Sequence, residues 1–329
     1  MKIIEKKVNQ VPISYRPLDI FFGNLNCAVF DIETTGLSPK KANLILSGFY
    51  IPSPDGNFIY KQIFAESLME ESMVIEETLK VLNSVDYIVT YNGVSFDIPF
   101  LEKRMKALNI KGRPMPYNLD IYKLLARHSD LKSLLPNLRQ KTIEIYLGYS
   151  DSRQDQISGE QSIYEYFDYL ETRDPEALEK ILLHNRDDVL QLYKLLNILP
   201  QLAFFKALCV LGFPLKKVVI SNIKLSTKKL ELSGSYFGGC SYSAFIDNMG
   251  YTYDFSCETE EFSVKIDLAT IQGVTFVDLN KLNLDLSAFE SIDGYYQGNL
   301  VLSKEKAPNY QGIAIFTKHF VEEIIINEL

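Results

Sequence analysis

Asn26-Cys27-Ala28-Val29-Phe30-Asp31-Ile32-Glu33-Thr34-Thr35-Gly36-Leu37 joins an apolar run to two acids and a turn. Residues 26–30 read as a short buried strand, and Thr34-Thr35-Gly36 as the turn that ends it. Side chains alternate across a strand, so Asp31 and Glu33 project from one face while Ile32 enters the core behind them. Two carboxylates about 7 Å apart by strand rise repel each other unless positive charge lies between them. A hard divalent cation such as Mg²⁺ or Mn²⁺ meets that demand. A solvated strand end is the plainer reading of a D-x-E pair, and the rest of the chain decides by supplying further ligands or not.

Working outward, residues 43–51 and 57–64 read as strands joined by the turn signal Pro52-Ser53-Pro54-Asp55-Gly56, so the region opens as a three-strand meander. Residues 71–82 show helical spacing, and 87–91 form a further short strand. Asn92-Gly93 then makes a turn, and Pro99 suits the first turn of a helix running to about Leu108. Asp97 stands at that strand-to-helix turn, where an N-terminal cap or a charge favourable to the helix dipole is the structural alternative to a ligand. Leu119-Asp120-Ile121 reads as another strand, followed by helical segments. The polar stretch Ser150 to Gly159 reads as an exposed loop.

The helix predicted from about Pro175 to Leu199 places Leu178, Ile181, Leu182, Val189, Leu192, Leu195, Leu196 and Leu199 in one arc. His184, Asn185 and Asp188 fall on the same side, whereas Asp187 and Gln191 fall outside. Polar groups facing a core need partners. His184 and Asp188, four apart, lie one above the other. A satisfied His-Asp pair and a metal-carboxylate site both answer the pattern.

From Pro200 onward the pattern becomes strand-like, with short runs that include Val218-Val219-Ile220, Leu230-Glu231-Leu232, Phe262 to Ile266, Gly298 to Leu302 and Gly312-Ile313-Ala314-Ile315-Phe316, separated by turn clusters such as Gly234-Ser235. The expected organisation is a lead-in over residues 1–21, an α/β domain over 22–205 and a smaller, mainly antiparallel β domain over 206–329. Lys206 to Lys229 holds six lysines and no acid, and Lys216, Lys217, Lys228 and Lys229 are candidates for contact with a phosphate backbone.

The net charge of −8 argues against broad, sequence-independent attachment to nucleic acid, but not against an enzyme that meets it through bound metal. Four cysteines without C-x-x-C pairing suggest neither a zinc ribbon nor a disulfide framework. No run reaches the length of a membrane span, and the charged N-terminus lacks a signal peptide's apolar core, so a cytoplasmic location is the expectation. His128 and His319 have no acidic motif beside them and are read as structural.

The element order of meander, helix, strand, helix, strand and helices is that of an RNase H-like fold, a mixed β-sheet flanked by helices. Asp31-Ile32-Glu33-Thr34-Thr35-Gly36-Leu37 resembles the first motif of the DEDD family of 3′→5′ exonucleases. Tyr91-Asn92-Gly93-x-x-Phe96-Asp97-x-Pro99-Phe100-Leu101 resembles the second, and His184-Asn185-Arg186-Asp187-Asp188-Val189 the third, as found in the YprB-type branch. The resemblance covers residues 22–199. It implies hydrolysis of phosphodiester bonds in DNA or RNA through two divalent ions, Mg²⁺ or Mn²⁺, with Asp31, Glu33, Asp97 and Asp188 as ligands and His184 as general base. Asn92 and Thr34 or Thr35 would position the substrate terminus. In the histidine branch of the family the base precedes the last ligand by five residues; here His184 precedes Asp188 by four, the tyrosine-branch spacing. Asp187 is an alternative ligand. The competing expectations are a non-catalytic nucleic-acid-binding or scaffold protein and a phosphodiesterase of short oligonucleotides. Protein partners are not legible.

Overall fold

The computed structural model describes residues 1–329 except Gln10, Pro54, Asp55, Met115, Gln156 and Leu329. The centre of the turn expected over Pro52 to Gly56 therefore lies outside the described residues. The chain divides into two compact units, one of Met1–Tyr15 with Asn24–Leu202, the other of Arg16–Gly23 with Ala203–Leu329. Among the described residues no single helix is long and apolar enough to cross a membrane.

The first unit is built on a six-stranded mixed sheet of β1 (Lys2–Val8), β2 (Cys27–Thr34), β3 (Leu44–Pro52), β4 (Phe58–Phe64), β5 (Tyr87–Thr90) and β6 (Tyr117–Asp120), in the order β1-β4-β3-β2-β5-β6. β1 to β4, β4 to β3 and β3 to β2 pair antiparallel; β2 to β5 and β5 to β6 pair parallel. Residues 2–8, expected as part of a lead-in, are thus an edge strand of this sheet. Arg16–Phe22 (α1) is a helix of the second unit, where Phe21 meets the rings of Phe205 and Phe213.

β2 is paired on both sides, and Ala28, Val29 and Phe30 are at most 1% exposed. On one face Ala28, Phe30 and Ile32 join the apolar faces of α2 (Glu71–Leu82) and α3 (Asp97–Ala107) through Val74, Ile75, Phe100 and Leu101. Beyond β6 the chain forms the short helices α4 (Ile121–His128), α5 (Leu131–Leu134) and α6 (Gln140–Tyr146). On the opposite face Ile45, Leu46 and Phe64 pack against α7 (Gly159–Thr172) and α8 (Pro175–Leu195) through Tyr166, Tyr169, Leu178 and Ile181. Asp31 and Glu33 alternate with Ile32, so they face α8. The register between β2 and β3 shifts between Glu33 and Thr34, an irregularity that ends the ladder just past the second acid. α8 starts as the sequence indicates: Pro175 takes the first helical position and the Asp174 carboxylate accepts from the Glu176 amide at 3.0 Å.

The second unit contains two antiparallel sheets. The first holds β7 (Phe213–Leu215), β8 (Val218–Leu225), β9 (Lys229–Tyr236), β10 (Tyr242–Ile246), β11 (Tyr251–Ser256) and β12 (Glu261–Asp267), in the order β10-β11-β12-β9-β8-β7. The second runs β13-β14-β16-β15, where β13 is Ala269–Ile271, β14 Val274–Asp278, β15 Tyr295–Tyr296 and β16 Asn299–Lys304; β17 (Ala307–Pro308) pairs with β16. Besides α1, the helices α9 (Phe204–Leu211) and α10 (Tyr310–Glu328) accompany them.

Two expectations fail here. Gly312 to Phe316, read as a strand, opens α10, capped by Asn309 whose carboxamide oxygen accepts from the Gly312 amide at 3.0 Å. Ile313, Ala314, Ile315 and Phe316 are all buried, and four consecutive buried apolar residues show no 3.6-residue period to set them apart from a strand. Gly234-Ser235, read as a turn, lies within β9. A side chain at Gly234 would stand 2.0 Å from the Val219 carbonyl oxygen, close to the irregularity between Ile220 and Asn222 of β8, so the glycine serves close strand approach.

Candidate active site

The face of β2 turned to α8 carries Asp31 and Glu33. α8 returns His184, Asn185 and Asp188 toward them, and Asp97 begins α3 at the end of the β5 turn. Glu33, Asp97 and His184 are each less than 8% exposed, whereas Asp31 and Asp188 are partly open. Asp31, Glu33, His184 and Asp188 line a cavity of about 830 Å³ together with Thr34, Leu37, Phe96, Arg139, Gln140, Lys141 and Arg153. Asp97 is not among the lining residues but is near enough that its charge acts on both Asp31 and Glu33. The structure therefore brings together all four acids and the histidine singled out in the sequence.

Asp31 and Asp188 are each anchored through one oxygen. The Asn185 carboxamide donates to Asp31 Oδ2 at 3.0 Å, and its own oxygen accepts from Gln62 of β4 at 3.0 Å. Gly48, cross-strand neighbour of both Asp31 and Gln62, leaves room for this amide, because a Cβ there would stand 2.0 Å from Asn185 Oδ1. Asp188 Oδ1 accepts from Arg153 Nη2 at 2.6 Å, and its Oδ2 lies 3.5 Å from His184 Nε2. His184 Nδ1 bonds Asp155 Oδ2 at 2.7 Å, and Nε2 faces Glu33 Oε1 at 3.8 Å.

Arg153 and Asp155 come from the stretch 150–159, in which Asp151, Ser152, Gln154, Ser158 and Gly159 are exposed as expected while these two side chains turn inward. The Asp155 side chain is fully buried and that of Arg153 is 8% exposed. Arg153 makes a two-pronged contact with Glu144 of α6 at 2.6 and 2.8 Å, besides its bonds to Asp188 and Asp155. Asp187 anchors the stretch: its Oδ2 accepts from the amides of Gln154 and Asp155. That covering buries Asp187 and Gln191, which the helical arc alone placed outside, and it occupies Asp187 as an anchor. No local pattern marks residues 153 and 155. The available signal was the buried polar face of α8, which demanded partners without naming them.

The electrostatics follow from this crowding. Burial, then the charges of Asp188, Asp97 and Glu33, hold the Asp31 carboxyl well above the ordinary carboxylate range. Burial and the Asp188 charge do the same to Glu33, and burial pushes Asp97 up to about 7. Burial opposes ionisation of Asp155, but the His184 hydrogen bond and the Arg153 charge outweigh it and pull the group down to about 2. For His184 burial disfavours the cation, yet the Asp155 bond and the charges of Asp188 and Asp155 leave it raised. Crowded acids that repel one another are a donor set for a divalent cation. Glu33, His184 and Asp188 offer donor atoms all within 4.8 Å of one another.

The weaker candidates fare differently. The Thr34 hydroxyl lines the cavity but is spent on the Gly36 carbonyl at 2.9 Å. Asn92 is absent from the cavity lining. Its φ of +64° makes the turn after β5, where the amides of Asn92 and Val94 donate to Asp120. The four lysines are in the second unit. Lys216 and Lys217 occupy the β7 to β8 turn, while Lys228 and Lys229 stand at the β8 to β9 turn, at the opposite end of an eight-residue strand roughly 26 Å long. They form two pairs rather than one patch.

Residues 28–199 match the family RNase_H_2 of the RNase_H superfamily, just over half of the chain, and the protein belongs to this family. Part of the chain is similar to a DNA polymerase of Methanocaldococcus jannaschii, 26% identical over 113 residues, 30% of this chain and 7% of that protein. A DNA polymerase of Pyrococcus glycovorans is 34% identical over 95 residues, 26% of this chain and 12% of that one. The chain thus spans a small fraction of these relatives. Among solved structures, the family B DNA polymerase of Pyrobaculum calidifontis aligns at a TM-score of 0.40 and 20% identity, covering 54% of this chain and 25% of that one.

Proposed function

We propose that this protein is a metal-dependent 3′→5′ exonuclease of the DEDD type, in its YprB-type branch, hydrolysing phosphodiester bonds of DNA or RNA. The observation that carries the reading is that Asp31, Glu33 and Asp188 line one cavity in an RNase H-like fold, with Asp97, from a third motif, close enough for its charge to act on Asp31 and Glu33. Local similarity to two DNA polymerases agrees with a nucleic-acid substrate.

Asp31, Glu33, Asp97 and Asp188 would hold two divalent ions, Mg²⁺ or Mn²⁺, which when bound supply an activated water and charge stabilisation at the phosphate. The protein's own contribution is placement. Asn185 and Arg153 each fix one oxygen of a carboxylate and leave the other without that bond. Also in the cavity lining, Arg139 and Lys141 offer cations to a phosphate backbone, and Leu37 and Phe96 offer apolar surface to a base.

The test is digestion of 5′- and 3′-end-labelled single-stranded DNA and RNA with Mn²⁺, beside Asp31→Ala. Stepwise shortening of the 5′-labelled strand, absent in the variant, is the expected result. No cleavage with any divalent ion, or equal cleavage by both proteins, would transfer the fold to the class of binding modules.

A further inference from the structure

His184 is 4% exposed, and its two ring nitrogens stand in opposite situations. Nδ1 is fixed by Asp155 at 2.7 Å, whereas Nε2 makes no hydrogen bond and points between Glu33 Oε1 at 3.8 Å and Asp188 Oδ2 at 3.5 Å. Both separations are long for a hydrogen bond. They approach the spacing of two donors sharing one cation, since donors about 2.0–2.2 Å from an ion at tetrahedral or octahedral angles lie roughly 3.0–3.6 Å apart. Nε2, with no hydrogen bond among the described residues, faces two carboxylate oxygens at the cavity wall and so presents a donor atom where a cation could be shared.

We propose that His184 is a ligand of the catalytic cation rather than a free proton acceptor, donating Nε2 beside Glu33 and Asp188, with Asp155 as the positioning residue that fixes its tautomer and ring plane. The inference rests on the metal-dependent reading of the site. Four features of the chain fit it. His184 and Asp188 are four residues apart on α8, a spacing that aims two donors from one helix face at a single ion. An imidazole that binds metal through one nitrogen characteristically gives the other N–H to a carboxylate, the place Asp155 takes. Arg153 occupies Asp188 Oδ1 and so leaves Oδ2 as the oxygen beside Nε2. Asp187 holds the backbone of residues 154 and 155, which makes the support of His184 part of the fold. The four-residue spacing from His184 to Asp188 then has a physical meaning, because it sets the ring level with the carboxylates. A nitrogen donor also tilts selectivity from Mg²⁺ toward Mn²⁺, Co²⁺ or Zn²⁺.

The experiment is pulsed electron paramagnetic resonance of the full chain loaded with Mn²⁺, with calorimetric Mn²⁺ titration of wild type, Glu33→Gln, His184→Gln and Asp155→Asn. Nitrogen modulation of the Mn²⁺ signal in wild type, altered by ¹⁵N labelling of histidine and lost in His184→Gln, is expected. Asp155→Asn should retain the modulation while Mn²⁺ affinity falls 10- to 100-fold. Bound Mn²⁺ whose affinity drops in Glu33→Gln but which shows no histidine coupling would overturn the ligand role and leave the nuclease site standing. Failure of wild type to bind Mn²⁺ would overturn both. The wild-type spectrum carries the decision even where a variant folds poorly.

Discussion

Gly48→Ala tests how tightly the sheet holds the site. The added methyl would stand 2.0 Å from Asn185 Oδ1, 2.7 Å from its Cγ and 2.9 Å from its Nδ2, against an ordinary contact of 3.4 Å or more. Asn185 has no exposed surface, so the amide has nowhere to swing and must retreat by more than an ångström. Such a shift carries both of its bonds, 3.0 Å to Asp31 and 3.0 Å from Gln62, beyond hydrogen-bonding distance. Overpacking costs about 1–3 kcal/mol. Loss of the bond to the Asp31 carboxylate adds about 1.5–3 kcal/mol, and the neutral bond about 1 kcal/mol. After partial relaxation the expected destabilisation is about 3–5 kcal/mol, read as a shift in urea midpoint at unchanged slope. Asn185→Ala in the same background removes the clashing atoms, so the double variant should be more stable than the sum of the single effects predicts. A loss under about 1 kcal/mol, or strict additivity, would refute the steric argument.

Other consequences follow from the same contacts. Arg153→Met strands Glu144 as a buried charge and leaves Asp155 with only His184 and Lys141, and should cost about 3–5 kcal/mol in thermal or urea unfolding, with part of the loss recovered on adding Mn²⁺; full stability without metal would sink the counter-charge role. Arg104→Ala removes the two-pronged partner of Glu71, itself 2% exposed, and should destabilise by a similar amount while activity per folded molecule stays near wild type, as an active-site titration would show. Metal-free protein should lose stability as pH rises from about 4 to 7. Burial lifts Asp97 to about 7 when folded, against about 3.9 unfolded, so the folded state binds more protons across that window. The loss is about 2–4 kcal/mol by unfolding at fixed pH in EDTA, and saturating Mn²⁺ should flatten the slope; a metal-free stability that climbs with pH contradicts the burial of Asp97.

The sequence exposed those parts of the site whose order is local. Alternation along β2 puts Asp31 and Glu33 on one face, and the helical period of α8 turns His184, Asn185 and Asp188 inward, because strand and helix geometry act over a few residues. Arg153, Asp155 and Glu144 were beyond reach, since what buries them is a segment folded across α8. Polarity alone reads such a segment as solvated. The same limit explains Asp187 and Gln191, placed outside by helical angle and then covered by that segment. α10 was lost for the opposite reason, an apolar run too uniform to show a period. The two lysine pairs looked like one basic stretch because a hairpin strand separates in space what the chain keeps adjacent.

Arg153 also constrains how this site can vary in descent. One guanidinium balances Glu144, Asp155 and Asp188, and Asp155 in turn orients His184. No member can be exchanged alone without leaving a buried charge or an unsupported ring. Positions 144, 153, 155, 184 and 188 should therefore be inherited as a block and replaced as a block, and lineages that abandon the arginine should be found to have abandoned its acids as well.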